Sequence, residues 1–347
     1  SLKKEPDKTI SQLEAVLRLD ATNQQALDML VRLLLARGQI DKSIEVLERA
    51  KQSPTLSLSL LVMLGDAYLR KGQADKAEES FQSAVSRQSD DTDAVLGLAQ
   101  VSQLRGDGNG ALTYLSRARK LVAASPGTLY RFAMVASAAG LYEEANNTLQ
   151  AAIKLKPDDS GYYIALGNTW IKKPDLFEAE QAFRKAVKLD DDNPQAQMSL
   201  GYVLLEQKKY PEAREWLEKS LQKDKSFPET FYYLGLIAQQ QNEDERAIEL
   251  FKSAVQLAPN YSFPHTALGA SYLKLRNYPL AKQELEFSVK LNPNDAKAHY
   301  SLAVLYARLK EPARAQEEMR IVEKLKLSGK SQQKDGESAQ PSFPKPR

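Results

Sequence analysis

Residues Leu58 to Asp91 read LSLLVMLGDAYLRKGQADKAEESFQSAVSRQSDD, and the order of small and bulky residues in this stretch recurs along the chain at a fixed interval of 34 residues. Leu64, Gly65 and Tyr68 lie on one helical pattern, Gly72 sits near a break, and Ala77, Phe81 and Ala84 follow at i, i+4, i+7 on a second. The pattern predicts two helices joined by a tight turn.

Working outward from this stretch, nine units start at Gln24, Leu58, Thr92, Pro126, Ser160, Pro194, Pro228, Ser262 and Ala296, and run to Gly329 without insertion or deletion. Leu30, Leu64, Leu98, Phe132, Leu166, Leu200, Leu234, Leu268 and Leu302 hold the seventh place. The eighth is small almost throughout: Gly65, Gly167, Gly201, Gly235 and Gly269, or Ala99, Ala133 and Ala303, with only Val31 larger. Glycine within a helix costs up to about 1 kcal/mol, so its recurrence requires a packing reason, and close approach of the paired helix supplies one. The second helix carries Ala77, Ala111, Ala145, Ala179, Ala213, Ala247, Ala281 and Ala315 at one place, broken only by Ser43. A turn later stand Leu47, Phe81, Leu115, Leu149, Phe183, Leu217, Phe251, Leu285 and Met319, so bulky residues of one helix fill gaps in its neighbour.

A 34-residue period with L-x-x-L-G-x-x-Y, then A-x-x-x-F, resembles the tetratricopeptide repeat, although Leu61 stands where that family prefers Trp and Ser89 where it prefers Pro. The resemblance implies an all-α, right-handed superhelix of nine hairpins over residues 24–329. Residues 1–23 hold one further amphipathic helix, with Ile10, Leu13, Val16 and Leu17 on its apolar stripe, in the frame of a second helix. This half repeat favours a longer natural chain. Pro126, Pro194 and Pro228 are expected at the first turn of first helices, while Pro157, Pro259 and Pro293 end second helices. Pro174, Pro211, Pro279 and Pro312 fall at the turn within a unit or the first turn of its second helix. Arg314, Glu317, Glu318, Arg320, Glu323 and Lys324 give the last helix the polar covering of a terminal repeat. Residues 330–347, rich in Ser, Gln, Lys and Pro, are expected to be disordered.

The chain has 48 Lys and Arg against 45 Asp and Glu, and this near-neutral balance argues against nucleic acid as a partner. There is no cysteine, which excludes disulfides and thiolate chemistry, and no apolar run is long enough to insert into a membrane. His265 and His299, the only histidines, are one repeat apart; helix axes roughly 8 to 10 Å apart keep them from sharing a metal, so packing is expected. The Gly106–Gly110 segment lacks the strand and the Lys-Ser/Thr of a phosphate loop, and Asp190 to Asp192 lack the glycine and final Glu of a calcium loop. No enzymatic constellation, metal or cofactor is implied.

In the resembled family the inner surface is lined mainly by first helices. Those faces carry Asp28 and Arg32, then Val62, Asp66 and Leu69, and from the fourth unit Tyr130, Met134, Ile164, Asn168, Met198, Tyr202, Tyr232, Leu236, Phe263, Tyr300 and Val304. Tyrosine and methionine offer adaptable apolar contact suited to a peptide or partner helix, although some of these residues can pack between units instead. The Lys–Asn clamp for acidic chaperone tails is absent, since Ile164 precedes Asn168, and consecutive units carry no asparagine ladder. A non-catalytic scaffold that binds a protein or peptide is therefore expected, with the open N-terminal end available for self-association. Two alternatives are the repeat region of a larger regulatory or enzyme-associated protein, and a bacterial envelope scaffold for polysaccharide export or pilus assembly. The latter favours the periplasm or secretion over the cytoplasm.

Overall fold

The computed structural model describes residues 4–51, 56–121 and 125–334, with side chains over 9–327 of these. All regular structure among them is helical, and it falls into two compact units that divide after Thr169. The first contains α1 (Lys4–Leu19), then the hairpins α2 (Gln24–Ala36) with α3 (Ile40–Lys51), α4 (Leu58–Arg70) with α5 (Ala74–Arg87), α6 (Thr92–Leu104) with α7 (Gly108–Leu121), and α8 (Pro126–Ala138) with α9 (Tyr142–Leu155). The division falls within α10 (Ser160–Lys172). The second unit continues with α11 (Leu176–Leu189) and the hairpins α12 (Pro194–Glu206) with α13 (Tyr210–Lys223), α14 (Pro228–Gln240) with α15 (Asp244–Leu257), α16 (Ser262–Lys274) with α17 (Tyr278–Leu291), and α18 (Ala296–Arg308) with α19 (Pro312–Lys334). No described helix is long and apolar enough to cross a membrane.

Each hairpin's first helix begins at the residue that opens its 34-residue unit. Local chemistry fixes those starts. The side chains of Asn23, Ser57, Asp91, Ser125, Asn193 and Asp295 accept hydrogen bonds from the free backbone N–H groups of the first turns of α2, α4, α6, α8, α12 and α18. Proline occupies the first turn of α8, α12 and α14, where its missing N–H breaks no bond.

The turn inside each hairpin is one recurring structure. A backbone N–H donates back to a carbonyl five residues earlier in all nine, from Gln39 to Leu34 through Asp175 to Trp170 and on to Glu311 to Tyr306. That bond normally accompanies a left-handed residue just before the donor. Gly38, Gly72, Gly106 and Gly140 supply it at φ from 69° to 82°, and Lys208, Asn242, Arg276 and Lys310 at φ from 58° to 61°. Pro174 holds the matching place in the fifth hairpin, where its ring fixes φ near −65°; the backbone bond from Asp175 forms there nonetheless.

Packing follows from the small residues. A Cβ on Gly65 would come within 2.5 Å of the Phe81 ring, one on Gly235 within 2.4 Å of Phe251, and ones on Gly201 and Gly269 within 2.6 Å of Leu217 and Leu285. Phe81, Phe251, Leu217 and Leu285 are fully buried as a result. Gly97, two places before the small-residue position, faces the same Phe81 ring from the following hairpin at 2.4 Å. Within each unit consecutive hairpins stack, so first helices touch first helices: α4 meets α6 and α6 meets α8 in one, α12 meets α14, α14 meets α16 and α16 meets α18 in the other. At the chain's end α19 continues beyond Gly329 to Lys334, into the stretch expected to be disordered; Gln and Lys tolerate helical backbone well enough to carry it there. Residues 335–347 of that stretch lie outside the described residues.

Candidate functional site

In the first unit the first-helix face is occupied by its own charges. Arg131 on α8 forks onto Asp66 on α4, with Nη1 to Oδ2 at 2.7 Å and Nη2 to Oδ1 at 2.5 Å across 65 residues of sequence. The guanidinium carbon lies 5.9 Å from the Phe81 ring centroid. Burial works against the guanidinium's charge, but Asp66 outweighs it and holds the Arg131 pKa above its usual value. Asp93 on α6 shares this environment: burial pushes its pKa up and Arg131 pulls it back. Asp66 is thus committed inside the molecule. Asp28 pairs with Arg32 along α2, Val62 is buried, and Leu69 packs against the same core. Further along, the Tyr130 and Tyr162 rings stand 5.3 Å apart, Met134 is exposed, and Ile164 and Asn168 are half-buried.

In the second unit the corresponding face carries a cluster of rings. Tyr202 on α12 stands 4.9 Å from Tyr233 on α14, and Tyr233 stands 5.6 Å from Tyr232. Tyr232 also meets Tyr261 edge-on at 5.8 Å and Phe263 at 6.4 Å, and Tyr261 meets Phe263 edge-on at 5.7 Å. Beneath them Phe251 approaches Tyr232 at 6.0 Å. Helical spacing positions these rings, because Tyr202 and Tyr232 project from neighbouring first helices while Tyr261 stands at the N-cap of α16. Tyr233 is buried; Tyr202, Tyr232, Tyr261 and Phe263 are half-buried.

Carboxylates surround the cluster. Burial, followed by Glu206, pushes the Tyr202 hydroxyl up to about 12. Burial raises Tyr232 further, with Asp295 and Glu206 adding to it, and raises Tyr261, where Tyr232 and then Glu229 add. Asp295 is spent on other partners: it caps α18 and accepts a 2.7 Å hydrogen bond from Thr266 Oγ1. Glu206 is exposed at the end of α12. Glu229 in the first turn of α14 is only 8% exposed, and burial pushes its pKa up against the pull of its own backbone N–H.

The remaining residues singled out from the sequence lie apart from this cluster or beneath it. Met198 is buried, Leu236 packs against the core, and Tyr300 on α18 is 53% exposed. His265 and His299 are buried packing residues, each tying the second helix of its own hairpin to the end of the preceding unit. Nδ1 of His265 lies 2.6 Å from Glu284 Oε2 and its Nε2 2.9 Å from the Pro259 carbonyl, and His299 repeats the arrangement with Glu318 and Pro293 at 2.5 and 3.0 Å. Among the described residues no three His, Asp or Glu side chains gather as a metal site. Tyr233, Tyr261, Glu206, Glu229 and Arg131 were not marked by place-counting along first-helix faces. Tyr261 closes the seventh unit and Tyr233 lies one residue off the counted face, so the aromatic run from Phe231 to Tyr233 was the available signal.

Three family models match the chain. That of the cilia and flagella-associated protein 70 C-terminal domain, a tetratricopeptide-repeat model, covers residues 2–231, and two tetratricopeptide-repeat models cover 228–261 and 266–323. No curated protein sequence matches at a significant level. Among solved structures, pilF of Pseudomonas aeruginosa is 19% identical with a TM-score of 0.51, covering 63% of this chain and 96% of its own. A human IFIT1 dimer with PPP-AAAA is 20% identical with a TM-score of 0.51, covering 78% of this chain and 68% of its own. YrrB, described as a repeat protein with an unusual peptide-binding site, is 23% identical with a TM-score of 0.41 over 51% of this chain and 91% of its own. The likenesses to pilF and IFIT1 show the all-α repeat fold.

Proposed function

Since the chain belongs to the tetratricopeptide-repeat family and so to a group of interaction scaffolds, we propose that it is non-catalytic and holds an extended peptide or partner helix against the first-helix face of its second unit. The observation that carries this reading is the ring cluster of Tyr202, Tyr232, Tyr261 and Phe263, which is assembled from three consecutive first helices and their junctions, yet remains half-exposed. Large rigid rings with a polar hydroxyl bring contact area at small entropic cost, which is why such residues dominate binding hot spots. Tyr130, Met134, Ile164 and Asn168 form a lesser surface of the same kind within the first unit, and Met198, Leu236 and Tyr300 extend the second.

Short peptides selected from a random library on the purified chain provide the test. Tyr202→Ala together with Tyr232→Ala is expected to weaken their binding at least about tenfold, equivalent to losing one modest hot spot, with the helical circular-dichroism signal retained. Peptides that bind the double variant as tightly as the original chain overturn the assignment.

A further inference from the structure

Resting on that reading, we propose that the ring cluster formed by Tyr202, Tyr232, Tyr261 and Phe263, with Glu206 and Glu229 beside it, seats one basic side chain, arginine or lysine, of an extended peptide. Three observations point to a cation. The first is the rings themselves. Their centroids lie 4.9 to 6.4 Å from their neighbours in tilted and edge-on arrangements, and the face of each ring carries the negative part of its quadrupole, which attracts a cation within about 6 Å.

The second is Glu229. A carboxylate that is only 8% exposed ordinarily has a basic partner, because an uncompensated buried charge is strongly unfavourable. Here no basic side chain among the described residues pairs with it, and its field falls on the Tyr261 and Tyr233 hydroxyls inside the cluster. Glu206 adds a second negative charge, exposed at the rim, that acts on Tyr202 and Tyr232. Apart from the backbone N–H groups at the start of α14, the described residues offer these carboxylates no counter-charge, and a cationic ligand completes the site.

The third is Arg131 in the first unit, a filled example of the same design. Its guanidinium lies 5.9 Å from the centroid of the Phe81 ring and forks onto Asp66, with Asp93 close by. There the chain satisfies its own ring and carboxylates. At the second unit's cluster the rings and carboxylates are in place, and no arginine among the described residues pairs with Glu206 or Glu229.

The test uses the full chain and short peptides selected on it from a random library, with each Arg or Lys of a selected peptide replaced in turn by Gln. One basic residue is expected to dominate, its replacement weakening binding about tenfold. Glu206→Gln, an exposed change that leaves the fold alone, should weaken the original peptide similarly and the Gln-substituted peptide very little, because the two changes remove the same interaction. If Tyr202→Ala with Tyr232→Ala abolishes binding while neither Glu206→Gln nor any basic residue matters, the groove reading stands and the cation seat falls. If the selected peptides ignore the double tyrosine variant, or no peptide is recovered, both readings fall. Sedimentation that reveals self-association abolished by Glu206→Gln would assign the seat to a second copy and overturn the peptide.

Discussion

At the scale of single residues, the pairing of Asp66 with Arg131 decides how the first unit responds to change. Both side chains are largely sheltered, at 29% and 17% exposure, and the fork between them spans two repeats. Removing one member strands the other, which is the costly way to break a buried pair. Asp66→Asn should therefore destabilise the first unit by about 3 kcal/mol, near the lower end for such pairs because Asp93 still partly compensates the guanidinium. Asp66→Leu with Arg131→Met should recover most of that loss in urea denaturation; an equal loss in the single and double variants would show that packing, and not stranded charge, sets the effect. The tyrosines of the second unit give a second prediction. Their hydroxyls ionise later in the folded than in the unfolded chain, since burial and nearby carboxylates disfavour the phenolate. The sign follows from linkage: the stabilisation is fully present below about pH 10, where an unfolded tyrosine ionises, and is lost as pH rises through the folded value, about 12 for Tyr202. Tyrosinate absorbance should rise together with loss of helix in that window, and Tyr202→Phe should flatten the loss; ionisation near pH 10 with the helices intact would contradict it.

At the scale of the hairpin, one backbone conformation recurs with different side chains. Gly38, Gly72, Gly106 and Gly140 take the left-handed place in the first four hairpins, with no atom within 4 Å of where a Cβ would stand. The cost of a side chain there is thus conformational alone. Gly72→Ala should destabilise by about 1 kcal/mol, and Lys310→Gly, which relieves a left-handed lysine, should stabilise by roughly 0.5 to 1 kcal/mol. Asn242→Gly should change little, since asparagine tolerates this conformation. Urea midpoints for the three variants that fail to fall in this order would mean that the turn is not held by its backbone. This element also marks what could be read in advance and what could not. The eighth-place glycines implied close helix contact, and Gly65 against Phe81 is that contact. Helix starts were legible where Pro126, Pro194 and Pro228 fall in the first turns of α8, α12 and α14. The left-handed turns at Lys208, Arg276 and Lys310 were not, because lysine and arginine carry no conformational signature and only the shared register with Gly72 identifies the place. Arg131 reaching Asp66 was equally hidden, as it skips a whole repeat and pairs two residues at different places in their units.

At the scale of the whole molecule, the repeat makes stability local. Within each compact unit a hairpin buries its apolar side against the next, so the free energy of a helix depends chiefly on its own packing and that of its neighbours. The two compact units should then answer separately to damage, even though one 34-residue rule writes both. The first unit spends its inner charges on itself through Asp66, Asp93 and Arg131; the second leaves Glu206 and Glu229 beside open rings. A lesion in the first should accordingly leave the second unit's face intact. Native-state hydrogen exchange of the Asp66→Asn chain tests this directly. Amides of α4 through α8 should lose protection, because the stranded Arg131 loosens the hairpins it joined, while those of α14 through α16 should keep the protection they have in the original chain. Loss of protection spread evenly over all of these helices would mean that the chain opens as one cooperative body, and that nearest-neighbour packing does not govern it.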